Sequence, residues 1–170
     1  MKCSFILNGD DVSVQTPPST LLIDIIRDEL GLKASRAGCL QGECGFCTVL
    51  LNSSLTLACM VPAFRAHRTE VITIEGFEQT DDYGDIERGY ADAGFEPCGF
   101  CRAGRVLTTH ALLLANATPT ETELRRAAAS IRCRCSSTSR FIRGMRNAAQ
   151  HRRERENALK GETGLRILPG

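Results

Sequence analysis

Eight of the nine cysteines in this 170-residue chain fall into two sets whose spacing can hold metal. The first is Cys39, Cys44 and Cys47, a C-x4-C-x2-C run, followed by Cys59 after eleven residues. Three thiols on one short loop can converge on a pair of irons only if the backbone curls tightly. Gly38, Gly42 and Gly45 supply the positive φ and close approach that such a curl requires. Glycines also leave amide N–H groups free to point at sulfur, which stabilises the negative charge a cluster gains on reduction. Zinc sites favour paired C-x2-C knuckles, and this run holds a single such pair, so the first set points to a [2Fe–2S] cluster with Cys59 as fourth ligand. The second set is Cys98-x2-Cys101 and, thirty-one residues on, Cys133-x-Cys135. Two pairs brought together by packing can close around one centre. Here zinc stays open beside iron–sulfur chemistry, although C-x-C is less usual for zinc. Cys3 belongs to neither motif and is expected to be a small buried hydrophobe. His67, His110 and His151 have no ligand spacing to one another.

These thiols need elements to carry them. Phe5-Ile6-Leu7 and Val12-Ser13-Val14 flank Asn8-Gly9-Asp10-Asp11, a hairpin pattern. Leu21, Leu22, Ile25, Ile26 and Leu30 recur at helical spacing, and Gly31 is placed to stop that helix. Thr48-Val49-Leu50-Leu51 and Leu55-Thr56-Leu57 predict a second hairpin, and Val71-Ile72-Thr73-Ile74 a short strand. Composition shifts after Gly76. Residues 79–85 are acidic and polar, as a linker would be. Beyond them the periodicity is helical. Val106, Leu107, His110, Ala111 and Leu114 share one face. Thr118-Pro119-Thr120-Glu121 has the form of a helix start, with Thr118 as N-cap and Glu121 completing a capping box. Leu124, Ala127, Ala128 and Ile131 follow, and Phe141, Ile142, Met145, Ala148 and Ala149 outline a last helix.

Composition excludes several classes. Twenty-one Lys and Arg against twenty Asp and Glu leave a net charge of +1, so nothing electrostatic calls for nucleic acid or an anionic membrane. The stretch from residue 140 to 160 holds seven Lys/Arg and two Glu, which suits a solvated helix face or a subunit contact. No apolar run approaches the ~20 residues a transmembrane helix needs, and no secretory leader is readable at the start. The expected compartment is cytoplasmic, where so many thiols hold metal rather than pair as disulfides.

Both cysteine sets together, with Thr73-Ile74-Glu75-Gly76, Cys98-Gly99-Phe100-Cys101, the Leu112-Leu113-Leu114 helix, Pro119-Thr120-Glu121 and Cys133-Arg134-Cys135, resemble the small iron–sulfur subunit of the xanthine oxidase family of molybdenum hydroxylases. Carbon monoxide dehydrogenase, isoquinoline oxidoreductase and nicotinate dehydrogenase small subunits are of this kind. The resemblance runs from about Ser4 to Ala149. It implies an α+β fold, with a β-grasp plant-type ferredoxin domain over residues 1–78, a four-helix bundle over 85–150 and a charged tail over 151–170. It implies two [2Fe–2S] clusters, one held by Cys39, Cys44, Cys47 and Cys59 with backbone from Gly42 and Gly45, the other by Cys98, Cys101, Cys133 and Cys135. It further implies a large molybdenum–pterin subunit that oxidises substrate, and electron flow from the helical-domain cluster to the ferredoxin-domain cluster and on to an FAD subunit or another acceptor. With Pro97 where glutamine is usual, the remaining pterin contacts are expected from the Cys98 and Gly99 backbone or from Arg102. No catalytic residue is expected on this chain. The chain departs from the family pattern at Pro97, where glutamine is usual, at Ser136-Ser137-Thr138, where Thr-Gly-Tyr is usual, and at Arg132, where an apolar residue is common. Arg102, Arg132 and Arg134 border the second set and could offset cluster charge or serve surface contacts. A free-standing two-cluster carrier and a zinc-stabilised interaction module are the other readings.

Overall fold

Asn8 and Gly9 both adopt positive φ, 53° and 94°, the backbone sense that a two-residue turn between twisted strands requires. Strand β1 (Lys2–Leu7) therefore folds straight back on β2 (Asp10–Gln15). Asn52 and Ser53, at φ 47° and 63°, do the same for β3 (Thr48–Leu51) and β4 (Ser54–Leu57). Strand β5 (Glu70–Ile72) joins the hairpins, parallel to β1 and antiparallel to β3, giving the order β2-β1-β5-β3-β4. The structure, a computed structural model, describes residues 1–164.

The expected first helix is present as α1 (Leu22–Asp24), continued by a π-helical turn over Ile25–Glu29. Its Leu22, Ile23, Ile25 and Ile26 are buried against one face of the sheet with Phe5, Leu7, Val49 and Val71. Cys3 lies in the same core, fully buried, its thiol on the Ala63 carbonyl at 3.3 Å. Short helices α2 (Ala63–Ala66) and α3 (Ile74–Phe77) flank β5.

The acidic stretch expected as a linker is instead a helix start. Thr80 caps α4 (Asp81–Asp92) by accepting the Tyr83 N–H, and Asp81 and Asp82 sit in the first turn, where the helix dipole favours carboxylates. Then follow α5 (Arg102–Ala115), α6 (Glu121–Ala129) and α7 (Thr138–Gly164). The cap of α6 falls two residues later than the sequence pattern suggests. Thr120 accepts the Glu123 N–H while the Glu123 carboxylate accepts the Thr120 N–H, so Thr120 and Glu123 form the reciprocal box. Along α5 the burial differs too: Leu114 is exposed, whereas residues 103–109 are buried all round because sheet and helices enclose them. The last helix does not stop near Ala149. It continues through the segment expected as a tail, as far as Gly164; residues 165–170 lie outside the described residues.

That continuation is held by charge. Arg155 meets Asp82 and the fully buried Asp85 at 2.5 and 2.7 Å, and Arg88 also reaches Asp85. His110 beside Asp82, helped by Arg152 and Arg155 and opposed by burial, holds the Asp82 carboxyl down at about 2. Where α7 crosses α4 the contact is glycine-sized. A Cβ on Gly89 would lie 2.6 Å from the Ala148 Cα and 2.8 Å from the Gly144 carbonyl oxygen. Gly89→Ala is therefore expected to destabilise the fold by about 1–3 kcal/mol, as overpacking does, measurable as a lower urea midpoint with unchanged slope. An unchanged midpoint would mean the crossing is looser than it looks.

Leu50 and Ile72 belong to the sheet yet pack into the helical core with Ile74, Phe77, Val106 and Leu107. This seam places α5, which begins just after Cys101, directly against β3, which begins just after Cys47.

Candidate metal centres

The first thiol set sits on a loop whose base is closed by the Arg36 N–H on the Phe46 carbonyl. Within it Leu40, Gly42 and Gly45 all have positive φ, 54°, 75° and 76°. This reversal turns successive amides inward, so the Cys39 sulfur accepts the N–H groups of Gln41 and Glu43 at 3.4 and 3.3 Å. Those N–H groups, with that of Cys44, hold the Cys39 thiol down at about 6. Cys44, Cys47 and Cys59 are buried. Cys59 comes from the 3-10 turn after β4, tied to the loop by the Ala58 N–H on the Cys47 carbonyl. Burial pushes the Cys47 thiol up to about 12, and the adjacent Cys59 and Cys44 sulfurs add to this.

In the apo chain these opposite environments should separate the thiols kinetically. At pH 7 Cys39 is mostly thiolate, the reactive form, whereas Cys47 stays protonated and buried. Iodoacetamide added to metal-free protein should label Cys39 well before Cys47 by peptide mass spectrometry; equal rates would contradict the loop geometry.

The second set closes more tightly. The four sulfurs of Cys98, Cys101, Cys133 and Cys135 lie within 4.8 Å of one another, the one group drawn so close among the described residues. Cys98 stands 3.6 Å from Cys101 and 3.7 Å from Cys133, and Cys101 stands 3.4 Å from Cys135. Cys101 is the N-cap of α5, so free amides of the first helical turn lie beside it. Burial raises Cys98, but N–H groups of Cys101 and Phe100 outweigh it and leave that thiol lowered to about 7. Cys101, fully buried, is pushed up by desolvation and by Cys135. Four converging sulfurs with no other donor fit an all-thiolate centre, which suits [2Fe–2S] or zinc alike.

The two loops touch. The Arg132 N–H donates to the Cys44 carbonyl at 3.0 Å, one residue before Cys133, and the Arg132 guanidinium pairs with Glu43. The Arg36 Nε donates to the Gly99 carbonyl, and Phe46 packs edge-on against Phe100. Gly45 and Gly104 lie backbone against backbone: a Cβ on Gly104 would run into the Gly45 carbonyl oxygen and stand 2.9 Å from the Ile131 Cδ1.

Of the residues expected near a pterin from the family resemblance, Cys98 is half-buried and Gly99 exposed. Arg102 instead turns back onto its own chain, pairing with Glu87 at 2.9 Å and Glu78 at 3.7 Å and bonding the Tyr83 hydroxyl. Pro97 is buried. Sequence reasoning missed two features: the Gly45–Gly104 contact, which no local pattern reveals, and the buried Arg105. Its position one helical turn beyond Cys101, within an apolar run, was the available clue.

Residues 5–64 match the family described as a 2Fe-2S iron-sulfur cluster binding domain, and residues 73–146 match the family described as a [2Fe-2S] binding domain. The chain is 34% identical to the nicotinate dehydrogenase small FeS subunit of Eubacterium barkeri over 144 residues, 85% of this chain and 92% of that one. It is 35% identical to the xanthine dehydrogenase iron-sulfur-binding subunit of Escherichia coli O157:H7 over 141 residues, 80% and 86% of the two chains. Among solved structures, quinoline 2-oxidoreductase from Pseudomonas putida 86 superposes with a TM-score of 0.81 at 29% identity, covering 90% of this chain and 96% of its counterpart.

Proposed function

This chain belongs to the [2Fe–2S] iron–sulfur subunits of the xanthine oxidase family of molybdenum hydroxylases, and from that premise we propose that it is a two-cluster relay in an oxidoreductase complex. Cys39, Cys44, Cys47 and Cys59 hold one cluster in a β-grasp domain; Cys98, Cys101, Cys133 and Cys135 hold the other in a four-helix bundle. Bound there, each cluster accepts and releases one electron. The chain's own residues hold the clusters, supply amides to the sulfurs and keep water from Cys44, Cys47, Cys59 and Cys101. A larger molybdenum–pterin partner carries substrate chemistry, and electrons leave towards an FAD subunit or another acceptor. The Cys98–Gly99 backbone faces the pterin; Arg102, already paired with Glu87, serves the loop from behind. The complex is cytoplasmic; no helix among the described residues is long and apolar enough to cross a membrane.

One observation carries the relay: the hydrogen bond from the Arg132 N–H to the Cys44 carbonyl, which puts ligand-bearing segments of both sites in direct contact. The test is metal analysis and electron paramagnetic resonance on the purified complex. About four irons and four labile sulfides per chain are expected, with two distinguishable signals after dithionite. Two irons, or stoichiometric zinc, would overturn the two-cluster reading. A chain that purifies without larger subunits would instead be a free-standing carrier.

A further inference from the structure

Arg105 is 2% exposed and is the largest fully buried side chain among the described residues. Its guanidinium stands 4.3 Å from the centre of the Phe141 ring and 5.3 Å from that of Phe95. One terminal nitrogen donates to the Cys133 carbonyl at 3.3 Å; Nε and the other terminal nitrogen are buried with no hydrogen-bond partner. No carboxylate lies within ion-pairing distance of it among the described residues. An arginine keeps its charge, and a buried cation without a counter-charge is strongly unfavourable; rings and a carbonyl compensate it only in part.

The other cations near this site are spent or screened. Arg102 is paired with Glu87 and Glu78, Arg132 with Glu43, and Arg134 is exposed to solvent. Arg105 alone is buried and unneutralised, one helical turn after Cys101 and in contact with Cys133. An all-thiolate [2Fe–2S] cluster carries net negative charge, and reduction adds one electron with no proton required. A fixed cation beside it stabilises the reduced form more than the oxidised one, and burial weakens the screening.

We infer that Arg105 is the buried counter-charge of the helical-domain cluster and raises its reduction potential, making that cluster a better acceptor of electrons from the molybdenum partner. The inference rests on the assignment of Cys98, Cys101, Cys133 and Cys135 as ligands of that cluster. It makes Arg105 a positioning residue for charge, acting on the cluster without ligating it.

The experiment is a redox titration of the intact complex, followed by electron paramagnetic resonance, for the wild type, Arg105→Gln and Arg105→Lys. The ferredoxin-domain cluster in the same sample is the internal reference. A wild type without a helical-domain signal would refute the ligand assignment itself, so the two failures are distinguishable. With the signal present, Arg105→Gln should shift that cluster's reduction equilibrium at least tenfold towards the oxidised form, about 59 mV lower for a one-electron couple, while the reference stays put. Arg105→Lys, which keeps the charge, should stay within about threefold of the wild type, about 28 mV on the same scale. An Arg105→Gln potential within threefold of the wild type, an equal shift of both clusters, or loss of the cluster from both variants would overturn the inference and make Arg105 a packing residue.

Discussion

Cys101→Ser is expected to remove one cluster and leave the other. Cys101 is fully buried at the centre of the second set, with Cys98 and Cys135 sulfurs 3.6 and 3.4 Å away. A serine hydroxyl is a harder and far less acidic donor than a thiol, and at that depth no water can replace it as a ligand. Iron should fall from about four to about two per chain, with the ferredoxin-domain signal retained after dithionite. Substrate should then fail to reduce the surviving cluster, because the helical-domain cluster is the proposed first acceptor. Substrate-driven reduction at the wild-type rate would contradict that order. Loss of both clusters would show that the Leu50 and Ile72 seam makes the halves one cooperative unit.

Gly104→Ala should lower stability strongly. The added methyl would meet the Gly45 carbonyl group, which is backbone and cannot rotate aside, and the Ile131 side chain. Relief requires the first cluster loop to back away from α5. A loss of about 2–3 kcal/mol follows for overpacking of this kind, or ~5–10 °C in Tm for a chain of this size. Gly84→Ala is the control. Gly84 lies inside α4 with nothing within 4 Å of the added carbon, so the same change should stabilise by about 0.5–1 kcal/mol. Thermal melts of the two variants should move in opposite directions; a common sign would refute the contact.

The grouping of the second thiol set was legible because two short intervals constrain four sulfurs, and Asn8-Gly9 marked the first hairpin because so few residues tolerate positive φ in succession. Less legible was anything depending on a neighbour distant in sequence. Residues 79–85 have the composition of a linker, yet Thr80 caps a helix that starts at Asp81, and α7, far along the chain, docks on its Asp82 and Asp85. Thr118 and Thr120 are equally good caps on paper; the reciprocal bond with Glu123 decides for the second. Leu114 obeys helical periodicity, yet at this end of α5 it is Leu113 that is buried while Leu114 faces solvent. Arg105 went unremarked because an arginine on a helix ordinarily reaches water, and its burial follows from Phe95, in the segment after α4, and Phe141, on α7.

Strand β5 lies at the centre of the sheet, yet it is the last strand to be synthesised. Ile6 pairs with Glu70 across more than sixty residues, and Leu51 pairs with Val71 on the other side. Closing contacts so distant along the chain is slow, and until it happens the two hairpins are separate ribbons, each marginal by itself. All four thiols of the first set lie inside the loop that this closure seals. A growing chain therefore has to release residue 72 from the ribosome before that cluster's cradle can exist, so metal delivery to it is necessarily a late event in the biogenesis of this half.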